Sequence, residues 1–466
     1  MYNFAIIYGT AQNGIQKKAV EILSTFLLDY TFEYPICLEY DSDADYSRYR
    51  CIYIGTKESN TYIKEHSSVC LDKEEGYFIQ VKDNTVVIEG YDDKGVLYGC
   101  VDFYNKYLLK CEYASKIDFD FPDLLGNPFE DFELKSSPMI QNRGIWTWGH
   151  VIYDYKGFID NMVKLKMNTL IMWNDHVPFH AKDIIEYAHS CGVKVIFGFA
   201  WCWDVDCKLY NLQTIKEQSP LILKKFQEEY ASLGVDGIYF QSFTELKEEE
   251  INGILVAEAV TDFVNHTASL IYEKYPELEL QFGLHATSVK EKLEYIKHVD
   301  PRIKIVWEDC GAFPFHYSPK HIEGHEETNE LVKTIAHLRG EDDRFAVVTK
   351  GFTKLDWGQF EHLEGPVHFG VSSKFMKENR IIRKRRLWKY LQAYWITNAG
   401  TAYETVKVLQ KSKNGNLDVT SLVEDGMFEE NIMFPVALYA EMLWDCKGEL
   451  CDMINQVALR SYVDFV

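Results

Sequence analysis

The strongest constraint on the fold is a regular alternation of short apolar runs and amphipathic segments through the middle of the chain. The apolar runs have the length of strands buried on both faces, and helical periodicity follows each of them. Two helical segments stop at Gly192 and Gly234, a common C-terminal signal. The predicted strands cover residues 140–149, 169–174, 193–200, 237–240, 279–284, 303–307 and 345–349. Together with a further run at 366–371, this order predicts a parallel (β/α)8 barrel.

A smaller domain is predicted before the barrel. Strand and helix patterns alternate over residues 1–115, and a Pro-containing, acidic stretch at 116–138 is typical of a linker. We expect the barrel to cover 139–375, and the barrel end and further helices to cover 376–466. The predicted fold class is α/β: a small N-terminal α/β domain followed by a TIM (β/α)8 barrel with extra C-terminal helices.

The fourth predicted barrel strand ends in polar residues. Gln241, Ser242, Thr244 and Glu245 follow the apolar run 237–240 directly. Barrel active sites lie at the C-terminal ends of the strands, so Glu245 is a candidate catalytic acid. The alternative is that Glu245 caps the next helix.

Tryptophan, histidine and charged residues follow most of the other predicted strands. Indoles stack on the apolar face of a sugar ring, and carboxylates bind its hydroxyls or perform acid–base chemistry. Packing in the barrel core is the alternative for any single tryptophan. The residues we expect to bind a substrate at this rim are Arg143, Trp146, Trp173, Asn174, Asp175, His176, Trp201, Trp203, Gln241, His285, Lys350 and Trp357.

Cleavage of a glycosidic bond usually needs two carboxyl groups. The aromatic residues Tyr239, Phe240 and Phe243 would desolvate Glu245 and raise its pKa, which suits a proton donor. The candidate partners are Asp309 and Glu308 after the sixth strand, with Asp175 as a third choice. Strand residues alternate in direction, so only one of Glu308 and Asp309 should point into the barrel.

The segment before the barrel resembles a domain of known glycosidases. Its Glu75-Gly76-Tyr77 start, the hairpin that follows, and the sequence from Asp92 to Gly99 (DDKGVLYG) resemble the N-terminal domain of β-N-acetylhexosaminidases and α-glucuronidases. The resemblance implies a catalytic barrel after this domain. The hexosaminidases carry an Asp-Glu pair after the fourth strand, whereas this chain has Thr244-Glu245, so only the glutamate corresponds. A catalytic pair on the fourth and sixth strands resembles the arrangement in α-glucuronidases, which invert.

Composition excludes several classes of partner. The 466-residue chain has a formal charge of −22, which disfavours nucleic acid and anionic membranes. Its 11 cysteines form no C-x-x-C pair, and Pro178 lies between His176 and His180, so we expect neither a metal nor another cofactor. The first residues lack a basic start and a long apolar region, which predicts a cytoplasmic protein unless a signal peptide was removed.

These observations predict a glycoside hydrolase that acts on glycans or oligosaccharides, either hexosaminides or uronides, with a carbohydrate as its partner. Arg143 and Lys350 would bind the carboxylate of a uronate or neutralise neighbouring acids. Two alternatives are a non-catalytic carbohydrate-binding barrel and a metal-dependent sugar isomerase.

Overall fold

A computed structural model describes most of the chain. The described residues are 3–10, 13–110, 129–148, 152–173, 176–202, 210–244, 246, 248–285, 291–309, 325–341, 343–352, 374–413, 417–423 and 428–465. They divide into two compact units. The first comprises residues 1–138, 189–192 and 447–463, and the second comprises 139–188, 193–446 and 464–466.

The first unit contains a six-stranded mixed sheet. In spatial order its strands are Ile36–Glu39, Asn3–Tyr8, Tyr49–Gly55, Thr85–Gly90, Tyr77–Lys82 and Phe132–Ser136. Its helices are Gly14–Thr31, Thr61–His66, Asp93–Asp102, which continues as a π-helical turn over Phe103–Leu108, and Leu450–Ala458. Asn13 and Asp92 cap the helices that follow them by accepting hydrogen bonds from the backbone amides of Gln16 and Gly95.

The predicted linker contributes a strand to this sheet. Phe132–Ser136 pairs antiparallel with Tyr77–Lys82 and forms an edge of the sheet. Its apolar and polar residues alternate, as expected for a half-exposed edge strand. The sequence predicted a linker here because of the prolines and acidic residues in the same segment.

The second unit is a closed barrel of parallel strands. In chain order the strands are Asn142–Trp148, Thr169–Trp173, Lys194–Gly198, Gly237–Phe240, Glu279–His285, Lys304–Glu308, Phe345–Phe352 and Leu417–Val423. We refer to these as the first to eighth barrel strands. Each strand pairs in parallel with the next, and the eighth pairs with the first, which closes the ring.

Helices connect the barrel strands on the outside. They are Tyr155–Lys164, Ala181–Ser190, Ser219–Lys225 with a π-helical turn at Phe226–Tyr230, Val256–Lys274, Leu293–Ile296, His325–Ala336 and Lys374–Lys413, and a further helix, Phe434–Trp444, follows the eighth strand. A two-residue hairpin, Glu250–Ile251 with Ile254–Leu255, precedes the fourth of these helices. None of the described helices is long and apolar enough to cross a membrane.

The eighth strand lies later in the chain than the sequence indicated. It is Leu417–Val423, whereas the predicted segment 366–371 lies outside the described residues. The helix before it, Lys374–Lys413, is 40 residues long and runs without interruption through Asn398-Ala399-Gly400.

Charged side chains cross the interior at the N-terminal end of the barrel. The ammonium of Lys304 donates hydrogen bonds to Glu279 (2.6 Å) and to Asp418, and Asn142 also donates to Asp418 at 2.7 Å. Above this layer the interior is apolar. It is filled by Trp146, Ile171, Trp173, Ile196, Tyr239, Val306, Ala346, Val348 and Leu422.

Candidate active site

Glu308 is the charged residue at the centre of the C-terminal end of the barrel. It follows Lys304 and Val306 at alternate positions of the sixth strand, and all three side chains point inward. Its Oε1 accepts hydrogen bonds from the Tyr239 hydroxyl and the Gln241 amide, and its Oε2 forms a 2.5 Å ion pair with Lys350. Side chains from the fourth, sixth and seventh strands therefore converge on one carboxylate.

Tyr239 reaches Glu308 across the fifth strand because that strand has a glycine at the crossing point. A Cβ atom on Gly283 would lie 1.9 Å from the Tyr239 hydroxyl oxygen and 3.1 Å from Cγ of Gln241. No larger residue fits there unless both side chains move. A buried tyrosine in a barrel strand needs a polar partner, so the sequence indicates that such a contact exists, but it does not identify Glu308 as the partner.

The surroundings of Glu308 determine its charge. Burial opposes its ionisation most strongly, but Lys350, His285 and the hydrogen bonds from Lys350 and Tyr239 outweigh burial and lower the pKa of Glu308. Burial and then the charge of Lys350 lower the pKa of His285 to about 4, against the opposing effect of Glu308. His285 is therefore neutral at pH 7, and Lys350 is the charge that keeps Glu308 ionised there.

Asp309 has a different environment from its neighbour. It is fully buried, and its Oδ1 accepts a 2.9 Å hydrogen bond from the backbone amide of Lys350. Its own backbone amide donates to Val348 at 3.1 Å. Asp309 thus fixes the end of the sixth strand against the seventh, whereas Glu308 is the inward-facing member of the pair.

Trp146 and Trp173 line the interior around the Glu308 group. Both indoles meet the Tyr239 ring edge-on, with centroids 5.8 and 5.7 Å away, and the Lys350 ammonium lies 5.3 Å from the centre of the Trp146 ring. Trp201 is instead fully buried, stacked on Phe240 with centroids 3.6 Å apart. It packs behind the fourth strand, so its expected role in contacting a substrate gains no support from its position.

Arg143 does not lie at this end of the barrel, contrary to expectation. The first strand begins at Asn142, so Arg143 is at its N-terminal end. Its guanidinium donates to the backbone carbonyls of Lys166 (2.9 Å) and Ile140 (2.6 Å) and lies over the Trp444 ring. The residue binds backbone carbonyls where the chain enters the barrel, and this position gives no support to the expected role in substrate binding.

Several predicted site residues lie outside the described residues: Asn174, Asp175, Trp203, Glu245 and Trp357. His176 is described and is exposed after the second strand. Two buried residues in the segments after the third and fourth strands have left-handed backbone conformations, Cys202 (φ 57°) and Phe243 (φ 52°). Such conformations are uncommon for these residue types and often occur at functional sites.

Histidine, cysteine and carboxylate groups do not gather into a metal-binding cluster of three or more anywhere in the described part of the chain. Lys350 is paired with Glu308, which matches the expectation that it neutralises a nearby acid.

Comparison with known proteins gives a fold and no closer relationship. No protein-family model and no curated protein matches the chain. Among solved structures it is similar to CpGH84B, with a TM-score of 0.58 and 14% identity over 98% of this chain and 70% of that one. It is also similar to the GH20 exo-β-N-acetylglucosaminidase from Vibrio harveyi, with a TM-score of 0.53 and 11% identity over 98% of this chain and 73% of the enzyme.

A third similar structure is the 4-O-methyl-α-glucuronidase BtGH115A, with a TM-score of 0.53 and 14% identity over 95% of this chain. The chain spans only 56% of that enzyme's length. The chain therefore shares its fold with these glycoside hydrolases, and in this chain the fold comprises a closed eight-stranded parallel barrel and a separate mixed sheet.

Proposed function

We propose that the protein is a glycoside hydrolase and that Glu308 is the ionised carboxylate of its catalytic pair. The observation that carries this proposal is the position of Glu308, at the C-terminal end of the barrel with its charge maintained by Lys350. A carboxylate with a lowered pKa suits a nucleophile or a general base and does not suit a proton donor.

Glu245 is our candidate for the proton donor. It follows Thr244 in the segment after the fourth strand, and the fourth strand already supplies Tyr239 and Gln241 to Glu308. The left-handed conformation of Phe243 two residues earlier indicates that this turn is held in a specific shape. The two acids would then come from the fourth and sixth strands.

The substrate class we propose is a hexosaminide or a uronide. Similar structures include an exo-β-N-acetylglucosaminidase and a 4-O-methyl-α-glucuronidase, which supports testing both classes. Trp146 and Trp173 would form the apolar wall of the sugar site, with His285 as a neutral hydrogen-bonding group.

The test is hydrolysis of a panel of aryl hexosaminides and aryl uronides by the wild type and by Glu245→Gln and Glu308→Gln variants. We expect each variant to lose about 10²–10⁴-fold or more in kcat, because each removes an acid–base or nucleophilic group. Azide should rescue a Glu308→Ala variant if Glu308 is a nucleophile or base. Asp309→Asn is the matched control. We expect it to lower the stability of the protein and to leave the ionisation of Glu308 largely unchanged. Near-wild-type turnover by both glutamine variants would contradict the proposal.

A carbohydrate-binding barrel without catalysis is the second candidate. The observation that favours it is that Glu308 is only 1% exposed and uses both of its oxygens within the protein. In that case the wild type would bind glycans in calorimetry, release no aryl leaving group from any glycoside, and keep its affinity in the Glu308→Gln variant.

A further inference from the structure

The long helix before the eighth strand contains a basic segment that the catalytic proposal does not use. Residues 374–394, which we call the basic arm, contain eight Lys or Arg residues and one Glu, a formal charge of +7 in a chain of −22. Among the described side chains of the arm, Arg385, Arg386 and Lys389 are exposed. The described chain shows no ion pair for these three residues.

The barrel places the basic arm on the side of the candidate active site. The helix joins two adjacent parallel strands, the seventh and the eighth, so it must run antiparallel to them. The Trp395 indole donates a 3.0 Å hydrogen bond to the carbonyl of Gly351 at the C-terminal end of the seventh strand. The arm ends one residue before Trp395 and extends from it by roughly 30 Å of helix, so it lies on the mouth side of that level.

One face of the arm combines charge with exposed apolar and aromatic groups. Ile382, Arg386, Tyr390 and Tyr394 follow each other at four-residue intervals, so they share a stripe of the helix. Ile382 is 73% exposed, Tyr390 is 55% exposed and Tyr394 is 40% exposed. The Tyr390 hydroxyl donates to that of Tyr394 at 2.7 Å, and the ring centroids lie 4.6 Å apart with the rings tilted by 55°, so the two phenols form one exposed aromatic patch.

We propose that the basic arm binds an acidic glycan, one that carries carboxylates or sulfates along its length, and presents it to the barrel mouth. Delivery of the glycan to the barrel mouth rests on the proposed function, whereas binding of the glycan by the arm does not. Arginine and lysine recognise the anionic groups, and tyrosine rings stack on the apolar faces of pyranoses.

Two other occupants fit the arm less well. Pairing with the arm of a second copy would bring Arg385, Arg386 and Lys389 against the same cations. Duplex DNA has a higher charge density than an acidic glycan. The acidic surface of the rest of the chain therefore repels DNA more strongly.

The experiment measures binding by the full chain without any need for turnover. The probes are oligogalacturonate for carboxylates, heparin-type oligosaccharides for sulfates, neutral xylo-oligosaccharides and duplex DNA, each at low and at physiological ionic strength. The variant is Arg385→Glu/Arg386→Glu/Lys389→Glu. The matched control, Lys182→Glu/Lys224→Glu/Lys333→Glu, makes the same charge change at exposed lysines on other helices.

We expect binding of one acidic glycan class that weakens with salt, falls roughly 10-fold or more in the arm variant, and falls much less in the control. The carboxylate and sulfate probes then identify the anionic group. Equal binding by the arm variant and the control overturns the proposal, as does tighter binding of DNA than of either glycan. If the wild type and the control sediment as dimers and the arm variant sediments as a monomer, the proposal is overturned in favour of self-association. Arm-dependent glycan binding without any hydrolysis would support the arm and contradict the glycosidase proposal, so the two failures can be told apart.

Discussion

Replacing Lys350 by methionine tests the electrostatics of the candidate site directly. The side-chain volume is similar, but Glu308 loses its positive partner at a position where it is 1% exposed. Removing one member of a buried ion pair costs about 3–5 kcal/mol, because the remaining charge is left without compensation. The hydrogen bonds from Tyr239 and Gln241 remain, which places the expected loss near the lower end, about 3 kcal/mol.

The pH dependence of this loss has a definite sign. In the wild type the pKa of Glu308 is lowered, so the stability it contributes is present above its unfolded pKa and disappears as the pH falls through its folded pKa. Without Lys350, burial raises the pKa of Glu308, and the carboxylate destabilises the fold at neutral pH. Protonation relieves this penalty, so the difference in stability between wild type and variant should narrow as the pH is lowered from 8 towards 5.

The assay is thermal unfolding followed by tryptophan fluorescence, together with the pH profile of aryl-glycoside hydrolysis. A loss of about 3 kcal/mol corresponds to a fall of roughly 6–12 °C in melting temperature for a large domain. Adding Glu308→Gln to Lys350→Met should recover much of this fall, because no charge is then left buried. If Glu308 must be ionised for catalysis, the acidic limb of the activity profile should move to higher pH in the Lys350→Met variant.

Lys304→Met is the matched control, because it removes a second buried lysine at the opposite end of the barrel. It should destabilise the protein, leave the acidic limb of the profile in place, and gain nothing from Glu308→Gln. A Lys350→Met variant that melts within about 2 °C of wild type at neutral pH, or that Glu308→Gln does not rescue, would refute the reasoning.

Two further predictions concern the same group of residues. Gly283→Ala places a Cβ 1.9 Å from the Tyr239 hydroxyl and should cost about 1–3 kcal/mol through overpacking, measured as a lower melting temperature. In the Tyr239→Ala background the same change should cost almost nothing, and an equal cost in both backgrounds would exclude this contact as the cause. The pKa of His285 is lowered to about 4 in the folded protein, so as the pH falls below about 6.5 this histidine is protonated in the unfolded chain before it is protonated in the folded one. The free energy of unfolding of the wild type should therefore fall by about 2 kcal/mol by pH 5. His285→Gln should remove this part of the acid sensitivity in melting curves, and an unchanged pH dependence would show that other groups cause it.

The sequence predicted the barrel because most of its strands are short apolar runs, but it placed the eighth strand at 366–371, too early in the chain. Leu417–Val423 contains Asp418, Thr420 and Ser421, although the whole strand is buried. Asp418 is satisfied by Lys304 and Asn142, and Ser421 hydrogen-bonds to Thr349 at 3.0 Å. These partners lie far away in the chain, so hydrophobic periodicity cannot reveal that a polar strand of this kind belongs inside.

The sequence also predicted only part of the candidate site. Alternation along the sixth strand required one of Glu308 and Asp309 to point inward, but which one depends on where the strand starts. Arg143 was misplaced for a different reason: the first strand runs from Asn142 to Trp148, so Arg143 lies at its N-terminal end and the residues of the rim follow Trp148. Gly283 gave no signal at all, since its role exists only through Tyr239 on the neighbouring strand.

The two buried lysines of the barrel interior explain why function is expected at one end only. At the N-terminal end Lys304 is held between two carboxylates, Glu279 and Asp418, which fix it from both sides. At the C-terminal end the Glu308 carboxylate is held by Lys350 and by two neutral donors, Tyr239 and Gln241. Neutral donors can turn from a carboxylate to a sugar hydroxyl without leaving a charge unpaired, whereas the partners of Lys304 cannot. The N-terminal layer also contains a neutral donor, Asn142, but its cation is held by two carboxylates. Glu308 instead accepts from Tyr239 and Gln241, which could bond a substrate while Lys350 keeps the carboxylate paired, and this difference favours chemistry at Glu308.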